Sequence, residues 1–293
     1  MKDLVKAYPF YVLPHHFLSR IVYFLTRRQS RWVVPFIQFF SKKFKVNLAE
    51  AAEQDLSHFK TFNAFFTREL KASARPIDDT KDVLVSPVDG TVSECGAINN
   101  GSIFQAKGHE YSLLTLLGND EALADLFQNG QFSTIYLSPR DYHRIHMPCR
   151  GTLTHQIHVP GRLFSVAPFT VNTIPNVFAR NERVVTIYKT EFGPMAMILV
   201  GAMNVAAIET VWDGLITPPK GKKVSTKRFE EHPVTLKKGE EMGRFNMGST
   251  VVWLMSNSAL KWVNDPKNGD AVQLGESFMA LQQQSVADSD SAP

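Results

Sequence analysis

The chain has 293 residues and a mass of 32.9 kDa, a size that suits one main folded domain with an accessory segment. Apolar residues make up 44% and charged residues 20%, a composition that excludes a wholly disordered protein. Two cysteines, Cys95 and Cys149, are too few for a disulfide framework and suit a reducing compartment. The sequence contains neither a bilayer-spanning apolar run nor a secretory signal pattern, so we expect a protein of the cytosolic side without a transmembrane helix.

The net charge of +4 is unevenly distributed along the chain. Residues 1–50 contain nine lysines and arginines against two acidic residues, and they hold eleven of the 32 aromatic residues. Basic side chains interleaved with aromatic ones are typical of a segment that lies on an anionic membrane surface. Two alternatives stay open here: a helical hairpin packed on the protein's own core, and a nucleic-acid surface, which the high apolar content disfavours. We predict a membrane-surface helical segment over 1–50.

Two helical regions are predicted before residue 81. Residues 17–44 suit two short amphipathic helices, interrupted around 28–30 and again near Pro35, because proline disrupts a helix interior. Apolar residues then recur at three- and four-residue spacings until Pro76, which predicts a helical connector over 51–80.

From residue 81 the pattern changes to short β-branched runs between Gly, Pro and Asn residues. Such runs predict an α+β protein with a β-rich antiparallel core, sandwich-like or barrel-like, over 81–281. One helix is expected at 113–127, and the Gln-, Ser- and Asp-containing tail 282–293 is expected to be disordered. The predicted strands are Val83–Val85, Gly90–Val92, Phe132–Leu137, Val184–Tyr188, Met195–Val200, Val205–Val211 and Thr250–Met255.

Three clusters contain the residue types from which active sites are built: Ser86–Val92 (SPVDGTV), Tyr136–Pro148 (YLSPRDYHRIHMP) and Gly243–Val252 (GRFNMGSTVV). Taken singly, the first and third are most simply turns that lead into strands. In the second, Ser138 and Pro139 suit the start of a short helical turn.

The histidines of the second cluster allow more than one interpretation. His143 and His146 would share a face of a helical turn, whereas a strand would direct them to opposite faces. Neighbouring arginines favour an anionic substrate. A metal site is the alternative, since His155 and His158 repeat the three-residue spacing, but no cysteine or carboxylate stands at a familiar zinc spacing.

Taken together, the clusters resemble the bacterial phosphatidylserine decarboxylases, a family of pyruvoyl-dependent membrane enzymes. The resemblance covers almost the whole chain, including the N-terminal segment, where the family's membrane-binding helices would lie. The chain departs from the family at Met247, where leucine is usual, and we expect this apolar replacement to be tolerated. Further matching blocks are Thr61–Leu70, Ala74–Ile77, Phe178–Arg183 and Val200–Val205.

The resemblance implies a proenzyme that cuts itself between Gly248 and Ser249. By resemblance, His146 is the base that activates the Ser249 hydroxyl and Asp89 orients His146, which gives an Asp-His-Ser charge relay. Ser249 would then become a covalent pyruvoyl group, the cofactor that forms a Schiff base with the substrate. The products would be a large chain, 1–248, and a small chain, 249–293, which together form a heterodimer; association beyond this pair is left open.

The implied reaction is the decarboxylation of phosphatidylserine to phosphatidylethanolamine, a step of phospholipid biosynthesis. It needs a proton donor, for which we select His143. Phosphatidylserine in an anionic membrane is the expected partner, with no nucleic acid and no metal. The implied location is the cytoplasmic face of the cell membrane, with peripheral attachment.

Two other classes of function compete with this interpretation. A metal-dependent hydrolase would use Asp89 and pairs from His143, His146, His155 and His158 as ligands, and would be sensitive to chelators. A biotinyl or lipoyl carrier would need a lysine in a tight hairpin, which the sequence lacks. No Gly-rich phosphate loop or dinucleotide fingerprint is present.

Overall fold

The computed structural model describes residues 7–106, 109–203, 207–218, 223–248 and 250–281. Within these ranges the α-helices are α1 His15–Thr26, α2 Val33–Phe44, α3 Phe62–Phe66, α4 Leu113–Leu116, α5 Glu121–Phe127, α6 Pro168–Val171 and α7 Val177–Arg180. Short 3-10 turns lie at Tyr8–Tyr11, Leu48–Glu50 and Leu56–His58.

The strands of the same ranges begin at residue 83 and continue to the end of the described chain. They are β1 Val83–Val85, β2 Gly90–Ala97, β3 Ser102–Ala106, β4 His109–Ser112, β5 Gln131–Tyr136, β6 Arg144–His146, β7 Gly151–Val159, β8 Arg183–Thr190, β9 Gly193–Val200, β10 Ile208–Thr210, β11 Gly214–Leu215, β12 Ser225–Arg228, β13 Val234–Leu236, β14 Glu241–Phe245, β15 Thr250–Met255, β16 Leu260–Trp262, β17 Ala271–Val272 and β18 Ser277–Leu281.

A nine-stranded antiparallel sheet is the centre of the fold. Its order is β12-β7-β8-β9-β15-β5-β2-β17, with β13 also paired to β7. β15 lies between β9 and β5, and all six of its residues are buried. A four-stranded sheet, β11-β10-β14-β6, and a three-stranded sheet, β1-β18-β16, pack beside it. The predicted α+β class with an antiparallel core is confirmed, and within the described residues the main sheet is open rather than closed into a barrel.

Both N-terminal helices pack on the rest of the chain: His15 of α1 is buried beside Phe164, and α2 packs through one face. Ile37 and Phe40 are buried against Phe62, Phe65 and Phe66 of the connector. The predicted interruption around 28–30 is confirmed, since α1 ends at Thr26 and α2 begins at Val33. The interruption predicted near Pro35 is wrong. Pro35 is the third residue of α2, where the backbone amide would have no partner within the helix, so its missing N–H removes no hydrogen bond.

Two other helix predictions need correction. The connector 51–80 is helical only at Leu56–His58 and Phe62–Phe66, because Thr61 caps a single short helix and the chain beyond it is irregular. The helix expected over 113–127 is two helices. Gly118 and Asn119 both adopt positive φ, which ends α4, and the Asp120 carboxylate caps α5 by accepting the amide of Leu123.

Of the predicted strands, Thr250–Met255 and Val83–Val85 have the predicted bounds. In the run 205–211 the strand covers only Ile208–Thr210, and residue 205 lies outside the described residues. The tail 282–293, which we predicted to be disordered, also lies outside them. Among the described helices, none has the length and apolarity needed to cross a bilayer.

Candidate active site

The predicted cleavage site lies where the chain enters the central strand of the main sheet. Gly248 follows the end of β14, and Thr250 opens β15 between Tyr136 and Val200. Ser249 itself lies outside the described residues. The surroundings of the site are therefore given by the groups that face Gly248.

The imidazole of His143 faces Gly248. A Cβ atom placed on Gly248 would lie 3.5 Å from Nε2 of His143 and 3.4 Å from the carbonyl oxygen of Leu137. His143 is fully buried, and its Nδ1 lies 2.8 Å from the carbonyl oxygen of Asp141. Since a carbonyl can only accept, Nδ1 carries the proton and Nε2 presents a lone pair. That lone pair has no hydrogen-bond partner among the described residues.

Burial keeps this imidazole neutral. Burial is the main cause, and together with the smaller effect of the positive charge of Arg68 it lowers the pKa of His143 to about 3. The ring of Phe66, the last residue of α3, packs on His143 with ring centroids 4.2 Å apart. His143 is therefore held in one orientation, with a proton-accepting atom toward the cleavage site.

His146 lies on β6 and is held by a different set of contacts. Its Nδ1 donates to the carbonyl oxygen of Gly239 at 2.8 Å, so Nε2 accepts from the hydroxyl of Tyr142 at 3.2 Å. Burial lowers the pKa of His146. Of the two arrangements left open by the sequence, the strand applies to His146, and His143 precedes that strand by one residue. Asp141, rather than the Ser138 side chain, makes the turn contact, since its carboxylate accepts the Ser138 amide at 2.6 Å.

Asp89 is paired with an arginine rather than with a histidine. Its carboxylate accepts from Nε of Arg75 at 2.8 and 3.0 Å and from Nη2 of Arg75 at 2.6 Å. It also accepts the amide of Leu274 at 2.8 Å, and Arg75 extends the pair to Glu50 at 3.0 Å. These hydrogen bonds raise the pKa of Arg75. Among the described residues Asp89 and His146 share no hydrogen bond, and the charge of Asp89 reaches His146 only through its field, which slightly raises the pKa of His146.

The structure thus brings His143 to Gly248 and holds Asp89 and His146 in separate contacts. Sequence reasoning did not single out Arg75, Tyr142 or Arg68, although Arg68 and Arg75 stood inside the quoted 61–77 blocks and Tyr142 inside the histidine cluster. Their place inside those blocks was the available signal, but the residues that they contact are distant in the sequence.

Two cavities flank this region. A polar cavity of 270 Å³ is lined by Arg68, Arg75, Asp89, Asp141 and Tyr142, among others. An apolar cavity of 720 Å³ lies between α1 and α2 and reaches Met247, the residue before Gly248. The polar cavity therefore adjoins Asp89 and Tyr142, whereas the apolar one reaches the residue before the cleavage site.

The histidine pair of β7 has other partners. Nε2 of His158 lies 2.9 Å from the carboxylate of Glu182, and Nδ1 of His155 lies 3.0 Å from the hydroxyl of Thr154. Within the described ranges no three His, Cys, Asp or Glu side chains are grouped so that they could hold a metal ion.

Comparison with known proteins identifies the family. A family model described as phosphatidylserine decarboxylase matches residues 62–280, and a second, described as PSD, matches residues 5–45. A phosphatidylserine decarboxylase proenzyme of Alkalilimnicola ehrlichii is 55% identical over 257 residues, which cover 87% of this chain and 89% of that protein. The proenzyme of the same name from Pseudomonas entomophila is 53% identical over 280 residues, 94% of this chain and 97% of the relative. The chain belongs to the phosphatidylserine decarboxylase family.

Proposed function

We propose that the protein decarboxylates phosphatidylserine to phosphatidylethanolamine with a pyruvoyl group made from its own Ser249. The observation that carries this proposal is the lone pair on Nε2 of His143, which faces Gly248 and has no hydrogen-bond partner among the described residues. A buried base held against a Gly-Ser peptide bond is what self-cleavage and a later proton transfer both need.

In the proposed self-cleavage the Ser249 hydroxyl loses its proton and attacks the carbonyl carbon of Gly248. The C–N bond breaks and the peptide becomes an ester, after which β-elimination releases chain 1–248 as a carboxylate. Hydrolysis of the remaining dehydroalanine gives the pyruvoyl group and ammonia. Gly248 suits the first step because a side chain there would fill the space between Leu137 and His143.

We assign the base of self-cleavage to His146, with Asp89 and Ser249 completing the relay. The lowered pKa of His146 supports this role, because the imidazole is neutral and ready to accept a proton at neutral pH. Because the Asp89 carboxylate is hydrogen-bonded to Arg75, Asp89 would act on His146 through its charge. Alternatively, a rearrangement of the site would break the hydrogen bonds to Arg75 and let Asp89 bind His146 instead.

The residues around Gly248 fit a pyruvoyl group, since His143 would contact it in a water-poor pocket. When formed, the ketone would condense with the substrate's amine and take up the electron pair that carbon dioxide leaves behind. His143 is the proposed proton donor. Because its pKa lies far below neutrality, it must first accept a proton during the reaction, and it then holds that proton weakly enough to return it.

A peripheral position on the cytoplasmic face of the membrane fits the outer surface of the helices. Phe17, Phe24, Trp32 and Phe39 are each more than half exposed, beside the basic residues of the same segment. Acyl chains leave the bilayer at a cost of about 0.8 kcal/mol per CH₂. The apolar cavity between α1 and α2 offers such chains an apolar environment close to the cleavage site.

Intact mass under denaturing conditions tests the proposal. We expect two chains, 1–248 and 249–293, the smaller one lighter by one ammonia than a chain that begins with serine. They should remain together as a heterodimer in native buffer, and cyanoborohydride with phosphatidylserine should add the decarboxylated or intact substrate to the small chain only. Ser249→Ala is the control and should stay a single chain. A single chain in the wild-type protein, together with sensitivity to chelators, would overturn the proposal in favour of a metal-dependent hydrolase.

A further inference from the structure

Arg68 is a buried cation that forms no ion pair within the described residues; Asp89 and Glu50, both bound to Arg75, act on its charge only at longer range. It lies two residues after the end of α3 and is 5% exposed. No carboxylate of the described residues lies within ion-pair distance of the guanidinium, and its Nε has no hydrogen-bond partner among them. The guanidinium carbon of Arg68 lies over the ring of Phe65, 5.2 Å from the ring centroid. A buried charge is normally paired, so Arg68 points to a ligand.

The charges around the polar cavity support the same conclusion. Of the four basic side chains on its walls, Arg75 is bound to Asp89 and Glu50, and Arg140 lies 3.6 Å from Asp141. Lys45 is exposed to water. Arg68 is therefore the buried positive charge that remains without an ion pair. The walls carry four basic side chains and three acidic ones, Glu50, Asp89 and Asp141, so their formal net charge is +1. The headgroup of phosphatidylserine at neutral pH has two negative charges and one positive charge, so its net charge complements that of the cavity.

Arg68 is also close to the candidate catalytic histidine. The segment that carries it places Phe66 on the His143 ring, and the charge of Arg68 contributes to lowering the pKa of His143. An anion held by Arg68 would thus lie beside the group that faces Gly248.

We infer that Arg68 binds the phosphate of the phosphatidylserine headgroup in this polar cavity, an inference that rests on the function proposed above. The substrate's carboxylate is the other oxyanion that a guanidinium could take. It is the poorer ligand for catalysis, because a guanidinium bound to it would stabilise the carboxylate charge of the ground state, which is lost from that group when neutral carbon dioxide leaves and its electron pair passes to the imine. The phosphate keeps its charge throughout the reaction, so binding it holds the headgroup without opposing the chemistry.

Kinetics with two substrates test the inference. Dioctanoyl-phosphatidylserine in detergent carries both oxyanions, whereas O-octyl-L-serine keeps the amine and carboxylate but lacks the phosphate. We expect Arg68→Met to lower kcat/KM for the phospholipid about 10- to 100-fold, as loss of charged hydrogen bonds worth about 1.5–3 kcal/mol predicts. Condensation of O-octyl-L-serine, trapped with cyanoborohydride, should be unchanged, and Arg68→Lys should recover part of the phospholipid rate. Inhibition by dioctanoyl-phosphatidic acid should weaken in Arg68→Met.

The controls separate this inference from the proposed function. Arg228→Met removes an exposed arginine of β12 and should behave as wild type. Equal loss on both substrates would overturn the phosphate assignment in favour of the carboxylate, and no loss on either would overturn any anion-binding role. If Arg68→Met does not cut itself, Arg68→Lys and Arg68→Gln are assayed in its place. Failure of all three variants to mature would overturn the inference, because it would assign Arg68 to self-cleavage. A wild-type protein that neither matures nor decarboxylates would instead contradict the proposed function.

Discussion

The sheet body and the N-terminal helices treat their large apolar side chains in opposite ways. In the body, strands β9 and β15 bury every residue from Met195 to Val200 and from Thr250 to Met255. In the helices, Trp32 is 66% exposed and Phe39 59%. A water-soluble surface rarely concentrates so many aromatic side chains. The sheet body therefore buries its apolar side chains by its own packing, whereas the helices leave an exposed aromatic surface that fits the membrane attachment proposed above.

Helix α2 belongs to both regions. Ile37 and Phe40 face inward and are buried, whereas Phe39 faces outward and is 59% exposed. Phe36 lies between the two faces, since it is 48% exposed and its ring centroid is 4.8 Å from that of Phe62. The core-hairpin alternative from the sequence is therefore correct for the inner face. The membrane prediction depends on the outer face alone. Deletion of residues 1–45 would remove both faces at once, so single substitutions on one face are the sharper test.

Substitution of His143 or His146 should have the largest effect on activity. Both residues lie in the sheet body, so these variants leave the N-terminal helices unchanged. We expect His146→Ala to block self-cleavage and His143→Ala to mature but lose decarboxylation by about 10²- to 10⁴-fold, the usual contribution of a positioned proton-transfer group. Chain mass and carbon dioxide release from the same samples check this. The contact of His143 with Gly248 makes the reverse result informative: loss of maturation only in His143→Ala would move the self-cleavage base to His143.

Arg75 connects the edge of the helical region, at Glu50, to Asp89 in the body. Arg75→Met leaves the Asp89 carboxylate buried without its partner and should lower the free energy of unfolding by about 3–5 kcal/mol. Lys227→Met, which removes the exposed ion pair with Asp213, is the matched control and should lower it by less than about 1 kcal/mol. Urea titration measures both, and equal effects would mean that the Arg75 pair stabilises no more than a surface one.

The outer face of α2 is tested with Phe39→Ser. The substitution should weaken binding to anionic vesicles about 10- to 100-fold, because burial of a phenylalanine side chain contributes about 1.5–3 kcal/mol. Self-cleavage should continue at the wild-type rate. Phe104→Ser, at an exposed phenylalanine of β3, is the control, and similar vesicle binding in the two variants would contradict a membrane role for this face.

The inner face of the same helix should respond in the opposite way. Ile37→Val removes one buried methylene and should lower the free energy of unfolding by about 0.5–1.5 kcal/mol, with vesicle binding unchanged. Thermal unfolding measures the stability and vesicle sedimentation measures the binding, both on the same preparation. Loss of vesicle binding without loss of stability would mean that the faces are assigned the wrong way round.

The smallest effect is expected from pH. Self-cleavage by His146 needs the neutral imidazole, and burial lowers the pKa of His146 below its usual 6.5, so the group stays neutral as the pH falls to that value. The maturation rate of freshly synthesised chain should therefore fall by clearly less than the factor of about 1.8 that a base with the ordinary histidine pKa would give between pH 7.5 and 6.5. A fall of about 1.8-fold or more in this interval would mean that the pKa of the base is not lowered.

Sequence patterns predicted elements whose determinants are local. The β-branched run of β15 and the interruption between α1 and α2 were correct because each depends on neighbouring residues. Pro35 was misjudged because its effect depends on its position within the helix, which the sequence alone did not define. For the site, the sequence supplied candidate residues but not the contacts between them. The Arg75–Asp89 pair and the approach of His143 to Gly248 join residues that only the tertiary fold brings together.

The position of β15 has a consequence for how the mature protein can be made. If the chain is cut before Ser249, the small chain contributes the strand between β9 and β5 and also β18, which lies between β1 and β16. Two separate polypeptides would have to insert such a strand into a finished sheet. Synthesis as one chain avoids that step, because tethering makes the pairing intramolecular and cutting follows folding. The break then leaves an interwoven pair that cannot separate without unfolding, so the two chains share one lifetime and one stoichiometry.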